Sequence, residues 1–243
     1  YQFMVMPASL FGNALDRALF PAMAKVQGDK QRLGKAYLTG AGLIALIAMP
    51  LSFVIVLLAK EIVMILLGPK WVEVVMPFQI LAASLFFRMG YKMSESLARA
   101  TGAVYQRAWR QFIYAGLVIT GSYVGHFWGL GGVACGVVFA LITNFFLMAQ
   151  LSLKLTNITW IDMIRVHRYG FIAGILVAVI SYGWVSLFHY YLTSDFLILL
   201  FTLVGTMIPM IIIVLAFPKL IINDDLKLLF DDLIVKKFKK KLR

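Results

Sequence analysis

The sequence has little charge, a single cysteine and none of the motifs that mark common catalytic or metal sites. Charged residues make up 14% of its 243 residues, whereas soluble domains contain about 25%. Cys135 stands alone, which excludes a disulfide within the chain. There is no G-x-x-x-x-G-K-[ST] motif for ATP hydrolysis, no H-E-x-x-H motif and no paired cysteine and histidine cluster for a metal. Because no nucleophile stands beside a base either, we predict a protein that is not an enzyme and uses no cofactor or metal.

What the sequence has in abundance is apolar residues. They make up 62% of the chain, and the mean hydropathy is +0.89. A membrane helix needs about 20 mostly apolar residues to cross the hydrocarbon. Seven runs come near this length: 1–24, 36–58, 75–98, 111–127, 129–152, 169–191 and 196–217. Because lipid cannot satisfy an open backbone, we predict an all-α integral membrane protein with a helical bundle over residues 1–217.

The basic residues predict the orientation of these helices. Most of the 23 lysines and arginines fall between the first and second, third and fourth, and fifth and sixth predicted helices, or in the tail 218–243. The loops on the other side hold only Lys60 and Lys70. Cytoplasmic loops of membrane proteins carry such an excess of positive charge. We therefore predict a cytoplasmic C-terminus.

Both ends of the chain carry expectations of their own. Tyr1 already lies inside an apolar run, so we expect the chain to be the C-terminal part of a longer protein. In the tail, apolar residues recur at helical spacing before a run of lysines, which is typical of a segment that lies on anionic lipid headgroups. Binding of a protein partner is the alternative for the tail. We predict no nucleic-acid partner, because the chain has no soluble domain with interleaved aromatic residues.

One predicted helix ends in a charged stripe. Arg88, Lys92, Glu95 and Arg99 are spaced so that all four share a narrow face of a helix. Arg99 stands at the predicted cytoplasmic border, and Arg88 lies about 16 Å deeper. A lone arginine at such depth costs about 2.5–3.5 kcal/mol on insertion scales. The stripe therefore predicts a water-filled cavity, an acidic partner, or both.

Two interpretations of the stripe remain open. Its excess of positive charge favours a cavity that binds an anionic substrate. Alternatively, it forms salt bridges that hold helices together. Glu95 can reach Lys92 or Arg88 along its own helix, and Asp16, beside Arg17 on the first predicted helix, is a further candidate charge partner.

Proline and glycine predict local irregularities. Pro7, Pro50, Pro77 and Pro209 lie inside predicted spans, where proline can kink a helix. Gly132 and Gly136 have the small-xxx-small spacing that lets two membrane helices approach closely.

Three segments of the sequence carry a family resemblance: LFPAMAKVQGDKQRLGKAY at 19–37, SLARATGAVYQRAW at 96–109 and FWGLGGVACGVVFALITN at 127–144. They resemble the oligosaccharide flippases of the multidrug/oligosaccharidyl-lipid/polysaccharide superfamily, of the O-antigen or colanic-acid exporter type. With their spacing, they extend the resemblance over about residues 1–153. It implies a two-lobed protein of 12 or 14 helices around a central cavity, of which this chain would be the C-terminal half.

The resemblance also implies a function. Such flippases move a polyprenyl-pyrophosphate-linked oligosaccharide across the bacterial inner membrane during synthesis of surface polysaccharides such as lipopolysaccharide. The expected partners are this lipid-linked oligosaccharide, the membrane lipids and the missing N-terminal half. Two alternatives remain: a cation-coupled drug exporter of the same superfamily, which would need buried carboxylates, and a non-transporting scaffold for polysaccharide enzymes.

Overall fold

The described part of the chain is a bundle of helices. The structure, a computed structural model, describes residues 20, 23–24, 26–192 and 194–216. Its helices are α1 Lys30–Leu57, α2 Ala59–Leu66, α3 Val75–Ala83, α4 Leu85–Ala100, α5 Val104–Gly125, α6 Gly129–Thr156, α7 Trp160–Tyr191 and α8 Asp195–Ala216, with 3₁₀ turns at Pro69–Val74 and His126–Trp128. The tail 218–243 and nearly all of the predicted helix 1–24, including Asp16 and Arg17, lie outside the described residues.

The length and composition of these helices confirm an all-α, multi-pass membrane protein. Three segments are long and apolar enough to cross a membrane: Lys30–Leu57, Val104–Thr156 and Trp160–Tyr191. The bent pair Pro69–Ala83 and Leu85–Ala100 makes a fourth if it counts as one span. Val104–Thr156 itself contains two helices, α5 and α6, which fold back on each other at the turn His126–Trp128. The seven spans expected from the sequence stay a prediction.

Several helices extend beyond the apolar runs that predicted them. α1 begins at Lys30 rather than at 36, α5 at Val104 rather than at 111, and α7 at Trp160 rather than at 169. Asp29 caps α1 by accepting hydrogen bonds from two backbone amides of the first turn at 3.0 and 3.1 Å, and Thr159 begins a capping box at α7. A hydropathy pattern predicts a helix boundary at the first charged residue. A capping residue, in contrast, lets the helix begin in the polar region outside the hydrocarbon.

The third predicted helix is broken at Ser84. α3 and α4 meet there at an angle of 40°. Pro77 does not lie at the bend, because it falls in the first turn of α3, where a missing N–H is tolerated. The hydroxyl of Ser52 on α1 donates to the carbonyl of Ala82 at 2.6 Å, and the hydroxyl of Ser84 donates to the carbonyl of Leu81 at 2.7 Å. Polar side chains thus satisfy backbone groups beside the break.

The core lies where α4 and α7 pack against α1. Glycines bring α1 and α7 close together: a Cβ on Gly170 would lie 2.6 Å from the backbone of Ala45. Gly90 on α4 makes room in the same way for the ring of Phe145 on α6. Large buried side chains of this core are Tyr37, Leu33, Leu85, Met89, Leu97 and Met163. The apolar face of α4 is thereby held on α1 and α6, which determines where its charged stripe lies.

Glycines also join α5 to α6. A Cβ on Gly125 would lie 2.3 Å from the carbonyl oxygen of Gly132, and a Cβ on Gly136 would lie 2.2 Å from that of Gly121. Both distances are far below van der Waals contact, so the two backbones touch where their side chains are absent. The small-xxx-small spacing of Gly132 and Gly136 therefore predicted a real helix–helix contact.

We expect Gly136→Ala to lower the thermal stability of the protein in detergent. The new methyl group would meet backbone rather than a movable side chain, so the helices must separate, which typically costs about 1–3 kcal/mol. Gly116→Ala on α5 is the matched control, since no atom lies within 4 Å of its Cβ position. Because alanine has a higher helix propensity than glycine, this control should leave the stability unchanged or raise it by up to about 1 kcal/mol. Equal melting temperatures for the two variants would contradict the close contact.

Candidate functional site

The structure places the whole charged stripe on α4. Arg88 lies near the start of α4, just after the break at Ser84, and is 7% exposed. Lys92 and Glu95 are half-buried, and Arg99 is exposed in the last turn. The charges therefore follow one face from a buried position to an exposed end. The depth in the membrane that the sequence predicts for Arg88 and Arg99 stays a prediction.

Glu95 pairs with a different helix from the one the sequence suggested. Its carboxylate accepts a hydrogen bond from, and forms an ion pair with, Arg107 in the first turns of α5. Arg107 is a partner for Glu95 that the sequence did not suggest beside Lys92 and Arg88. The reason is the early start of α5 at Val104, which turns an expected loop arginine into a helical one facing α4.

This pairing changes the charge balance of the stripe. Among the described residues, the stripe has one carboxylate, and Arg107 neutralises it. Arg88, Lys92 and Arg99 remain as the cationic members. The guanidinium carbon of Arg99 lies 5.6 Å from the centroid of the Phe20 ring, within the range of a cation–π contact. The carboxylate of the stripe is thus engaged by an arginine outside the stripe.

Arg110 has a structural position that the sequence did not reveal. Its Nε donates to the carbonyl of Leu147 on α6 at 3.1 Å, and its Nη1 donates to the carbonyl of Gln106 at 2.6 Å. The guanidinium also lies 4.5 Å from the ring of Trp109, and the residue is only 4% exposed. Sequence reasoning counted Arg110 as a loop cation, whereas it joins α5 to α6.

Buried polar groups accompany the stripe on the neighbouring helices. The Tyr37 hydroxyl on α1 and the Ser94 hydroxyl on α4 form a 2.9 Å hydrogen bond. On α6, Asn144 is fully buried and adjoins Phe145, whose ring packs on Gly90 between Arg88 and Lys92. Neither amide atom of Asn144 has a hydrogen-bond partner among the described residues. Unpaired buried amides are rare and indicate a place for water or a polar ligand.

The basic residues gather at one end of the described bundle. The starts of α1, α5 and α7 meet the ends of α4 and α6 there, as contacts between Tyr37 and Ser94 and between Gly34 and the α6–α7 turn demonstrate. The exposed basic residues of this end are Lys30, Arg32, Lys35, Arg99, Lys154, Arg165 and Arg168. Lys60 and Lys70 lie at the opposite end. The alternation of charge along the sequence thus becomes a difference between two ends of the fold.

Sequence reasoning missed one buried carboxylate. It placed Glu61 in an outer loop over 59–74, but Glu61 lies on the buried face of α2, beside His189 of α7. The apolar stretch IVMILL after Glu61 was the available signal for a short helix. In the part of the chain that the structure describes, no three histidine, cysteine or acidic side chains come close enough to hold a metal ion.

The Glu95–Arg107 pair can be tested by a double-mutant cycle. We expect Glu95→Gln to lower the melting temperature, because Arg107 then keeps a half-buried charge without its partner. Adding Arg107→Gln should recover part of the loss, with a coupling energy of about 0.5–3 kcal/mol. Adding Arg88→Gln instead should recover none of it. Recovery with Arg88→Gln alone would contradict the observed pairing.

Comparison with known proteins agrees with the resemblance found in the sequence. Residues 1–76 match a family described as "Polysaccharide biosynthesis protein", and this region includes the segment 19–37. An "Uncharacterized membrane protein in cps region" of Klebsiella pneumoniae is 28% identical over 150 residues, which cover 59% of this chain and 31% of the relative. The chain thus spans about a third of the length of this curated relative. No solved structure matches the chain. The predicted similarity to membrane proteins of polysaccharide biosynthesis is confirmed.

Proposed function

We propose that this chain is part of a flippase that carries a polyprenyl-pyrophosphate-linked oligosaccharide across the bacterial inner membrane for surface polysaccharide synthesis. It acts as a transporter and not as an enzyme. The observation that carries the proposal is the buried Arg88 on a broken membrane helix, followed one turn later by Lys92. The similarity to polysaccharide-biosynthesis membrane proteins supports the same class of cargo.

The charge of the stripe supports an anionic cargo. The diphosphate of such a lipid is negatively charged, and charges attract more strongly where water is excluded. Because Arg107 already engages Glu95, this carboxylate does not compete with the cargo for Arg88 and Lys92. The alternative of a cation-coupled drug exporter would need buried carboxylates. Glu61, at the other end of the described bundle, is one, whereas the carboxylate of the stripe pairs with Arg107. The stripe itself therefore fits an anionic cargo better.

The break between α3 and α4 supports transport rather than a static scaffold. Substrate sites of many secondary transporters are formed by discontinuous helices near the middle of the membrane. Here the break at Ser84 directly precedes Arg88, and the backbone carbonyl of Ala82 bonds to Ser52 of α1. A scaffold for polysaccharide enzymes needs neither a broken helix nor a deep arginine at this place.

The orientation in this proposal places the basic end in the cytoplasm. In a Cys135→Ala background, single cysteines replacing Gln31, Ala103 or Asn157 should be protected from a membrane-impermeant thiol reagent added outside the cells. Cysteines replacing Ser194 or Lys70 should react. The expectation follows from the positive charge of the first end. The reverse labelling pattern would contradict both the orientation and the direction of transport.

The role of the stripe is tested by Arg88→Gln and Lys92→Gln in the full-length protein. Insertion should not suffer, because removal of a charge from the membrane eases insertion, and protein abundance is measured beside the yield. Surface-polysaccharide yield should fall roughly tenfold, which corresponds to the loss of about 1.4 kcal/mol of attraction for an anion. Arg88→Lys should have a milder effect if charge alone suffices, and a severe one if the guanidinium binds phosphate through two nitrogens.

The control for these variants is Lys154→Gln, an exposed lysine at the basic end outside the stripe. It should keep a normal yield. Normal export by Arg88→Gln would refute the substrate role. So would a yield that falls only in step with protein abundance.

A further inference from the structure

An apolar groove lies between α3, α5 and α6, at the end of the bundle opposite the basic residues. Its volume is about 610 Å³. The floor of the groove is formed where the backbones of α5 and α6 touch at their glycines, so no side chain of these glycines fills it. Met76 of α3 forms one wall, and Trp128 and Phe139 mark the extent of the groove along α6.

The lining of the groove suits a hydrocarbon ligand. No charged side chain occurs among the described residues that line it, and the polar side-chain groups there are the indole of Trp128 and the thiol of Cys135. A charged or strongly polar ligand would lose its hydration in the groove and find no side chain to replace it. A hydrocarbon chain, in contrast, gains dispersion contacts with the whole lining.

The groove opens onto the apolar surface of the membrane-spanning helices. Exposed apolar side chains continue from the groove along both helices that frame it, with Ile119 and Tyr123 on α5 and Phe146 on α6. Large exposed apolar surfaces mark contacts with protein or with membrane. In a multi-pass membrane protein this surface is continuous with the boundary to lipid, so a lipid chain can enter the groove sideways from the bilayer.

The dimensions of the groove fit one leaflet of a membrane. Trp128 and Phe139 are eleven residues apart, which corresponds to about 16 Å along the helix. The hydrocarbon core of a bilayer is about 30 Å thick, so the chains of one leaflet span about 15 Å. A volume of about 610 Å³ over this length gives a cross-section of roughly 40 Å². A helix about 10 Å wide needs roughly twice that area, so the groove admits an extended chain but not another helix.

The inner end of the groove lies near the level of the break between α3 and α4. These two helices run beside α6 in one register, because Met76 meets Gly131 and Gly90 meets Phe145. Phe139, at the inner end of the groove, lies between these two contacts along α6. The groove therefore stops before the level of the charged stripe, which begins after the break.

Aromatic residues lie at the other end of the groove. Trp128 belongs to the 3₁₀ turn between α5 and α6, and Trp71 belongs to the 3₁₀ turn that precedes α3. Both tryptophans are exposed. Tryptophan is enriched where membrane proteins cross from hydrocarbon to headgroups. The groove thus extends from a membrane interface inwards, as the acyl chain of a phospholipid does.

We propose that this groove binds one acyl chain of a phospholipid from the leaflet at the end of the bundle opposite the basic residues. The acyl chain contacts Met76 on α3 and the glycines of the α5–α6 hairpin, and the headgroup lies beside Trp128. The lipid thereby joins the first half of the broken helix to the hairpin. The site is separate from the charged stripe, and the proposal does not require the proposed transport function.

The first test measures how much phospholipid the full-length protein retains after extensive washing in detergent. Lipids that merely surround a membrane protein are washed away, whereas a chain held in the groove dissociates slowly. Gly131→Leu fills the groove without disturbing the helices, because its Cβ position meets only the flexible end of Met76, at 3.8 Å. We expect the wild type to retain phospholipid and Gly131→Leu to retain roughly tenfold less.

Gly116→Leu is the matched control for this variant. It lies on α5 outside the groove, and no atom lies within 4 Å of its Cβ position. It should retain as much phospholipid as the wild type, and the melting temperatures of both variants are measured to establish that they are folded. Equal retention by wild type and Gly131→Leu would overturn the proposal, and so would an equal loss in Gly116→Leu.

A second measurement identifies the occupant without filling the groove. A photoreactive benzophenone amino acid replaces Phe139 in the groove or, as the control, Phe112, which is exposed on α5 outside the groove. The washed protein is irradiated, and its adducts are identified by mass spectrometry. We expect a phospholipid adduct from position 139 and none from position 112.

Three results of the cross-linking would contradict an acyl-chain site. The first is a link from position 139 to another part of the protein or to a second copy of it. The second is a link to a polyprenyl lipid in place of a phospholipid, and the third is an equal yield of phospholipid adducts at both positions. Neither measurement involves polysaccharide export, so a failure here leaves the transport proposal standing, and the reverse also holds.

Discussion

Hydrocarbon offers no hydrogen bonds, and the path of this chain around Ser84 depends on that constraint. A break in a membrane helix frees backbone carbonyls, so it persists only where other groups bind them. Ser52 of α1 donates to the carbonyl of Ala82, and both the amide and the hydroxyl of Ser84 donate to the carbonyl of Leu81. Once the break is satisfied, α4 can leave the direction of α3 and pack its apolar face on α1 and α6. Its opposite face is then left to carry Arg88 and Lys92.

The sequence predicted the features that depend on local spacing. Apolar runs located the described long helices, because a membrane span is defined by length and composition. The interval of four residues between Gly132 and Gly136 indicated the contact between α5 and α6, because it repeats on one helix face. The stripe itself followed from the same geometry. In each case the information lies within one helix, where 3.6 residues make a turn.

Features that depend on contacts between two helices could not be predicted from the sequence. Glu95 pairs with Arg107 because α5 begins at Val104, ahead of its apolar run, and faces α4. The spacing of residues along α4 alone cannot reveal this contact. Glu61 and His189 are separated by most of the chain, and only the fold brings them together. Pro77 suggested a kink at its own position, whereas the bend lies at Ser84. A proline in the first turn of a helix removes no helical hydrogen bond. Asp29 and Thr159 likewise extend their helices by capping, which hydropathy does not measure.

The arginines of this region occupy two kinds of position. Arg110 donates to backbone carbonyls, and Arg107 donates to Glu95. Both arginines thereby join α5 to its neighbouring helices. Arg99, Lys92 and Arg88 follow one face of α4 from the exposed end to a buried position. An anion that moves along this face in the proposed transport meets successive positive charges as the surrounding water decreases. Because attraction between charges grows as water is excluded, its strongest interaction comes at Arg88, beside the break on which the course of α4 depends.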